Sequence, residues 1–293
     1  MAEHTGAVVV GVNGSERALA AARWAAAVAD RLGAPLHIVH AMVGVGGGLT
    51  EVTAAIQAAI MSYQADTSPI FLKDATDAVH ADFPDLTVST SSHDESADRV
   101  LTEMSREARL IVLGGKEINA ASVLLLGSTT LAVAAHAHCP VVSWRGDQPT
   151  LSDRPLVVGA DGSPSGAAAL AAAFDTADRL GVSVRAVRAW STRTPGAGAD
   201  EDLRESLSSA QRALLIDETD RLVARYPGVA VECVVTEGGA AQAVLDQSGD
   251  AQMVVVGTRG RNALASTLLG STSLNLLQHS ALPVMLCRAE QGD

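Results

Sequence analysis

The stretch from Met253 to Ser273, MVVVGTRGRNALASTLLGSTS, decides the fold and carries the most specific motif of the chain. Its first residues form a short apolar run, which is typical of a β-strand buried on both faces of a parallel sheet. Glycines follow at Gly257, Gly260 and Gly270, and Ser271 completes the pattern G-x-x-G-x9-G-S. Glycine permits positive φ and a close approach of the backbone to a phosphate. This spacing after a strand therefore indicates a site at which the backbone can hold a phosphate.

The chain repeats itself, which determines its domain organisation. The segment VVVGVNGSERALAAARWAAAVADRLG, starting at Val8, matches LVVGADGSPSGAAALAAAFDTADRLG, starting at Leu156. The first copy carries a few additional residues in its middle, which we place in the loop region 44–48. A repeat of this length predicts two copies of one domain, residues 1–146 and 154–293. The segment GDQPTLSDR between Gly146 and Arg154 is the predicted linker.

Short apolar runs alternate with Ala-rich helical stretches in both copies. The first helix of the first copy follows Ser15, a good N-cap residue, and stops at Gly33, as expected of a C-terminal glycine. Further helices are predicted over 50–83, 96–107 and 128–137. The predicted strands are VVVGV, PLHIVHA, LTVSTSS, LIVLGG and PVVSWR, then LVVGAD, VRAVRAW, VAVECVV, MVVVGT and PVMLCR. This alternation predicts an α/β fold, with two tandem Rossmann-like, doubly wound, parallel-sheet domains of five strands each.

Composition narrows the class of protein and its partners. The 293 residues are 47% apolar and 3% aromatic, and the net charge is −12. The acidity is spread over both copies, which disfavours binding to nucleic acid or to an anionic membrane surface. We see no apolar run of about 18 residues that would span a membrane, and no signal-peptide pattern. The three scattered cysteines fit a reducing compartment, so we expect a cytoplasmic protein.

Ligands of open parallel sheets bind beyond the carboxyl ends of the strands, where the strand order reverses. In the second copy Asp161 directly follows strand one, and Arg259 follows strand four. A helix begins at Gly270, and its first turn offers free N–H groups together with the hydroxyls of Ser271–Ser273. Arg259 supplies a planar cationic group, and Asp161 can hold ribose hydroxyls or a divalent cation.

The D-G-S turn at Asp161, the G-x-x-G-x9-G-S motif and the closing Pro283–Val284 strand resemble the ATP-binding class of universal stress protein domains. The resemblance covers essentially the whole chain, twice. It implies strand order 3-2-1-4-5, ATP with Mg or Mn, and pairing as a homodimer or an intrachain pseudo-dimer. The ligand-binding residues that it implies are Asp161, Gly162, Ser163, Ala189, Trp190, Gly257, Arg259, Gly260, Gly270, Ser271, Thr272 and Ser273. Asp161 would lie near the ribose, the phosphates or the metal, and Ala189 and Trp190 near the adenine.

The first copy departs from this pattern. Asn13 stands where the second copy has Asp161, and Glu117 stands where it has Gly260. A carboxylate 4–6 Å from a phosphate charge repels it by about 1–4 kcal/mol, depending on the local dielectric. We therefore expect the first copy to bind nucleotide weakly or not at all, unless Glu117 turns to solvent. Its corresponding residues are Asn13, Gly14, Ser15, Gly114, Lys116, Gly127, Ser128, Thr129 and Thr130.

The sequence leaves three functions open. The favoured one is an ATP-binding protein with a regulatory role in stress response, acting through nucleotide-dependent conformation or partner binding. The second is a slow ATPase or a nucleotidyl- or phosphoryl-transfer enzyme on the same scaffold. The chain has neither a P-loop motif nor a G-x-S-x-G motif, and no catalytic residue is assigned. The third is an interaction module that binds no nucleotide, in which the glycines serve only tight turns.

Overall fold

Two compact units make up the part of the chain that the computed structural model describes. The described residues are 4–41, 51–115, 128–146, 149–191, 201–260 and 269–289. The first unit extends to Leu151, and the second begins at Ser152. Each unit is an α/β domain whose five strands pair in parallel.

The first unit alternates strands and helices along the chain. Its elements are β1 Val8–Gly11, α1 Glu16–Leu32, β2 Leu36–Ala41, α2 Glu51–Asp82, β3 Val88–His93, α3 Ala97–Met104, β4 Leu110–Gly114, α4 Ser128–His136 and β5 Val141–Trp144. The strands pair in parallel in the order β3-β2-β1-β4-β5. The helices and strands predicted from the sequence are confirmed, with bounds that differ by a few residues.

The second unit repeats this arrangement. Its elements are β6 Leu156–Gly159, α5 Pro164–Leu180, β7 Val184–Trp190, α6 Glu201–Arg225, β8 Val231–Glu237, α7 Ala240–Asp246, β9 Met253–Gly257, α8 Ser271–His279 and β10 Val284–Cys287. The strands pair in parallel in the order β8-β7-β6-β9-β10. The α/β fold class is confirmed. In each unit the order corresponds to 3-2-1-4-5, so β6 and β9 are neighbours.

Helices α1 and α5 begin and end as their sequences predict. The hydroxyl of Ser15 accepts a hydrogen bond from the N–H of Ala18, and Ser163 does the same for Gly166. Both helices stop at a glycine in the left-handed conformation, Gly33 at φ 58° and Gly181 at φ 69°. These caps fix the residues at which each helix begins and ends.

Small side chains let α5 lie close to the sheet. Ala169, Ala173 and Ala177 form one helical face and are fully buried. They pack on a sheet whose central strands, β6 and β9, are valine-rich and buried. Alanine on the helix and valine on the strands explain how the domain closes a core with few aromatic residues.

The two long helices account for the additional residues of the first copy. Helix α2 spans 32 residues, whereas α6 spans 25. The prediction that these residues lie in the loop region 44–48 is therefore wrong, because they lengthen the helix; the loop itself lies outside the described residues. Neither these helices nor the shorter ones of the described ranges are long and apolar enough to cross a membrane.

Arg185 of β7 connects the outer strand of the second unit to the turn after α7. Its Nε donates to Glu232 at 2.8 Å, and its Nη1 donates to Asp250 at 2.6 Å. The same Nη1 lies 2.9 Å from the carbonyl oxygen of Gln247. The hydrogen bonds to Asp250 and Glu232 raise the pKa of Arg185, and the hydrogen bond from Arg185 lowers the pKa of the Asp250 carboxyl.

We predict that Asp250→Asn lowers the melting temperature of the full chain at neutral pH. Because the folded-state pKa of Asp250 is depressed, its contribution is complete above the unfolded-state pKa of about 3.9 and is lost as the pH falls through the folded value. The gap between wild type and variant should therefore close below about pH 4. Thermal denaturation from pH 7 to pH 3 measures this, with the exposed Asp217→Asn as control. A gap that stays constant with pH would contradict the assignment.

Candidate functional site

A cavity of about 440 Å³ lies over the carboxyl ends of β6, β7 and β9 in the second unit. This volume falls in the range of small-molecule sites, about 300–1,000 Å³. The structure brings most of the predicted residues of this copy to the cavity. Those that line it are Asp161, Ala189, Gly257, Arg259, Gly260, Gly270, Ser271, Thr272 and Ser273.

Gly257, at the end of β9, lets the backbone of α5 approach the strand. A Cβ atom at this position would lie 2.6 Å from the carbonyl carbon of Ser165. Backbone atoms cannot give way at that distance without moving the helix, so only glycine fits. The contact places the N-terminal turn of α5 beside the turn that follows β9 and thereby brings the two loops together.

Asp161 and Gly162 form the turn between β6 and α5. The Oδ1 atom of Asp161 accepts a hydrogen bond of 3.0 Å from the N–H of Ser163, and the side chain is half-buried. Gly162 has φ 75°, a conformation that favours glycine. A Cβ atom on it would lie 3.2 Å from Nη2 of Arg188, which is buried and forms an ion pair with Glu218 at 2.8 Å.

The side chain of Ser163 forms hydrogen bonds within the protein and does not line the cavity. Its hydroxyl caps α5 and donates a hydrogen bond of 3.2 Å to the carbonyl oxygen of Arg259. Only 3% of the residue is exposed. Gly162 and Trp190 also lie outside the cavity lining. These three predicted residues therefore shape or flank the site.

The N-terminus of α8 faces the cavity. Gly270 is its N-cap, and its N–H donates to the carbonyl oxygen of Thr258 at 2.8 Å, which holds the helix start beside the turn after β9. Glycine has no side chain that could cap the helix, so the first-turn N–H groups, beginning at Ser271, remain donors for a ligand. Ser273 is an exception among the hydroxyls, because its Oγ donates to the carbonyl oxygen of Gly257 at 2.7 Å.

Part of the cavity lining is apolar, and the sequence did not predict it. Val187 of β7, Val244 of α7 and Val256 of β9 form this part, together with Ala240. The Gly238–Gly239 pair before α7 was the available signal, because glycines after a strand mark a loop at the carboxyl edge of the sheet. Gly166, in the first turn of α5, also lines the cavity and was not predicted.

The equivalent turn of the first unit is built differently. Asn13 is exposed, and its Oδ1 accepts hydrogen bonds from the N–H and the hydroxyl of Ser15, at 3.2 and 2.7 Å. Gly14 has φ 76°, and a Cβ on it would overlap the ring of Phe71. That ring meets His40 edge-on, with 5.4 Å between centroids.

The remaining predicted residues of the first copy are only partly described. A Cβ on Gly114 would lie 3.2 Å from the carbonyl oxygen of Arg17, so helix and strand approach closely in this unit too. In α4, Ser128 is exposed, Thr129 is half-buried and Thr130 is buried. Lys116, Glu117 and Gly127 lie outside the described residues.

Comparison with known proteins agrees with the fold and the repeat. The model of the universal stress protein family matches the chain twice, over residues 5–145 and 154–288. A universal stress protein of Mycolicibacterium smegmatis is 32% identical over 288 residues, and universal stress protein Rv2623 of Mycobacterium tuberculosis is 33% identical over 292 residues. Each of these alignments covers 96% of both chains. The crystal structure of a universal stress protein from Archaeoglobus fulgidus shares the fold, with TM-score 0.65 and 17% identity over 98% of this chain and 97% of that one.

We predict that Ser163→Ala destabilises the protein more than Ser15→Ala. Both variants lose an N-cap, which costs about 1 kcal/mol. Each hydroxyl also donates one hydrogen bond, but that of Ser15 goes to the exposed Asn13 in the same turn. The buried Ser163 donates to the carbonyl of Arg259 in another loop, and the loss of this bond should cost about a further 1 kcal/mol. Urea unfolding followed by circular dichroism gives the two free energies. Equal losses would show that the bond from Ser163 to the carbonyl of Arg259 contributes nothing.

Proposed function

The chain belongs to the universal stress protein family, and we propose that its second unit binds ATP in the cavity over β6 and β9. One observation carries this proposal: the glycine-lined turn after β9 and the glycine-capped N-terminus of α8 face the same cavity as Asp161 and Arg259. Donors for an anion and an acceptor for hydroxyls thus lie around one space, part of whose lining is apolar.

The phosphates would lie at the start of α8. An anion at this end of the helix would accept hydrogen bonds from the backbone N–H groups of Ser271 and Thr272 and from the Ser271 hydroxyl. The helix dipole also favours negative charge there. Arg259 would add a charge-assisted bond, since its guanidinium presents several donors in a plane. Gly270 and Gly260 let a phosphate approach the backbone.

The nucleoside would occupy the other end of the cavity. Val187, Ala189 and Val244 offer an apolar surface on which a purine can lie. Asp161 lines the same cavity, and its carboxylate can accept hydrogen bonds from ribose hydroxyls. This orientation puts the base over β7 and the phosphates over β9.

Mg²⁺ or Mn²⁺ would accompany the nucleotide. Mg²⁺ bound with a nucleotide takes most of its ligands from phosphates and water and needs only one or two carboxylates, so the single carboxylate of Asp161 fits this role. When bound, the cation would neutralise phosphate charge, which Arg259 alone would do only in part.

The function that follows is regulatory rather than catalytic. Among the described residues, the cavity lining has one carboxylate and one guanidinium, and no histidine or cysteine. Binding would order the turns after β6 and β9 and change the surface offered to a protein partner. A slow hydrolysis of ATP is compatible with this role, and measured turnover with an acceptor substrate would favour the enzymatic alternative instead.

We predict that the full chain binds one equivalent of ATP in the presence of Mg²⁺. Gly270→Trp should abolish this binding, because an indole would fill the space beside the start of α8. Equilibrium dialysis of the purified chain measures the stoichiometry, and Gly127→Trp, the corresponding change in the first copy, is the matched control. Two equivalents would show that Asn13 and Glu117 are tolerated, and an absence of binding would overturn the proposal.

Arg259→Ala should weaken ATP binding by about ten- to a hundredfold, the loss expected for one charge-assisted hydrogen bond. It should also flatten the dependence of affinity on salt, because one charge that meets the phosphates is removed. Isothermal titration at two salt concentrations tests both effects. Arg212→Ala, an exposed arginine of α6, should leave the affinity unchanged. An unchanged affinity in Arg259→Ala would contradict the assigned role.

A further inference from the structure

Gly166 stands in the first turn of α5, where a glycine needs an explanation. Glycine is less favourable than alanine in a helix by up to about 1 kcal/mol. The position is buried, and it lines the cavity. A Cβ atom here would lie 2.6 Å from Oδ1 of Asp161 and 3.2 Å from Oγ of Ser163. The first of these distances is too short for any real side chain, so an alanine would displace the carboxylate.

A second glycine lies on the other side of the same carboxylate. A Cβ on Gly260 would lie 3.0 Å from Oδ2 of Asp161. The Asp161 carboxylate therefore sits between two Cα atoms that have no side chains, with its Oδ1 bound to the N–H of Ser163. The space beside Gly166 and Gly260 and the hydrogen bond from Ser163 both limit where the carboxylate can lie.

The first unit shows the same turn with a side chain at the equivalent helix position. Ala18 corresponds to Gly166, and Asn13 corresponds to Asp161. Ala18 is buried and Asn13 is exposed. In both copies the Oδ1 atom accepts a hydrogen bond from the N–H of the serine two residues on, at 3.2 Å in Asn13 and 3.0 Å in Asp161, so the copies differ in the exposure of the side chain. Where the helix carries a Cβ, the polar side chain of the turn lies outside; where the helix carries none, the side chain is half-buried.

We propose that Gly166 is a positioning residue of the second unit's site, which keeps the Asp161 carboxylate inside the cavity by leaving room for it. This inference rests on the proposed binding of ATP. Gly166 itself makes no polar side-chain contact with the ligand and acts through Asp161. Because the atom that an alanine would displace is the end of a flexible side chain, the substitution moves the carboxylate and leaves α5 folded.

The first test is Gly166→Ala in the full chain. We expect a loss of Mg-ATP affinity of about tenfold, as for a misplaced hydrogen bond to a charged group. The melting temperature without nucleotide should stay the same or rise, because alanine favours the helix. A lower affinity with an unchanged or higher melting temperature distinguishes a positioning role from damage to the fold. Gly249→Ala, at a glycine with open space around it, is the control for the chemical change.

The second test is a double-mutant cycle with Asp161→Ala. Without the carboxylate, the added methyl group has nothing to displace, so Gly166→Ala should cause no further loss in that background. If Gly166 instead shaped the cavity by itself, the loss would be equal in both backgrounds. Ala18→Gly, the reverse change in the first unit, should leave the ATP affinity of the chain unchanged.

Each outcome has a distinct meaning. A wild-type chain that binds no Mg-ATP overturns the proposed function and this inference with it. A wild-type chain that binds, with Gly166→Ala equal to it, overturns only the role of Gly166. Should Asp161→Ala bind too weakly for the cycle, the affinity and melting temperature of Gly166→Ala decide alone, and a fall in both overturns the inference.

Discussion

The second unit depends on one close contact between backbones, the approach of α5 to the end of β9 at Gly257. The carbonyl group of Ser165 occupies the space that a Cβ on Gly257 would need. The parallel order of the sheet makes β6 and β9 neighbours, but this contact brings the turns that follow them within hydrogen-bonding distance. The bond from the hydroxyl of Ser163 to the carbonyl of Arg259 then joins the two turns. With a side chain at position 257, the turns after β6 and β9 would lie farther apart and would not line one cavity.

Helices α5 and α8 both begin at the cavity, and they begin in different ways. Helix α5 is capped by its own serine, so its first N–H groups are partly satisfied by Ser163. Helix α8 begins at Gly270, whose lack of a side chain leaves the corresponding donors for another molecule. The same distinction divides the hydroxyls, because Ser163 and Ser273 bind backbone carbonyls while Ser271 is exposed. The sequence alone shows serine beside glycine in both places and does not tell these roles apart.

How much the sequence reveals therefore depends on the range of the interaction. Alternating apolar runs and caps are local, so the strands, the helices and the fold class followed from them. The spacing of Gly257, Gly260 and Gly270 is also local, and it located the turn after β9. Gly166 was missed because its significance comes from Asp161, which reaches it only across the turn. The extension of α2 was misplaced for a related reason: glycines at 44–48 suggested a loop insertion, whereas the helix absorbed the extra residues.

The two copies show that a turn can keep its backbone while its surroundings change. Gly14 and Gly162 have nearly the same positive φ, 76° and 75°. The space that a Cβ on Gly162 would take is bounded by the ion pair of Arg188 and Glu218, whereas on Gly14 it is occupied by the ring of Phe71. A buried ion pair and an aromatic contact are interchangeable supports for a fold, since desolvation offsets much of the attraction between charges. The residues that would touch a ligand are not interchangeable in this way, because an amide at Asn13 cannot supply the charge of Asp161. The fold and the proposed site therefore depend on different side chains of the same turn, so a copy without the charge of Asp161 can keep the structure of the turn.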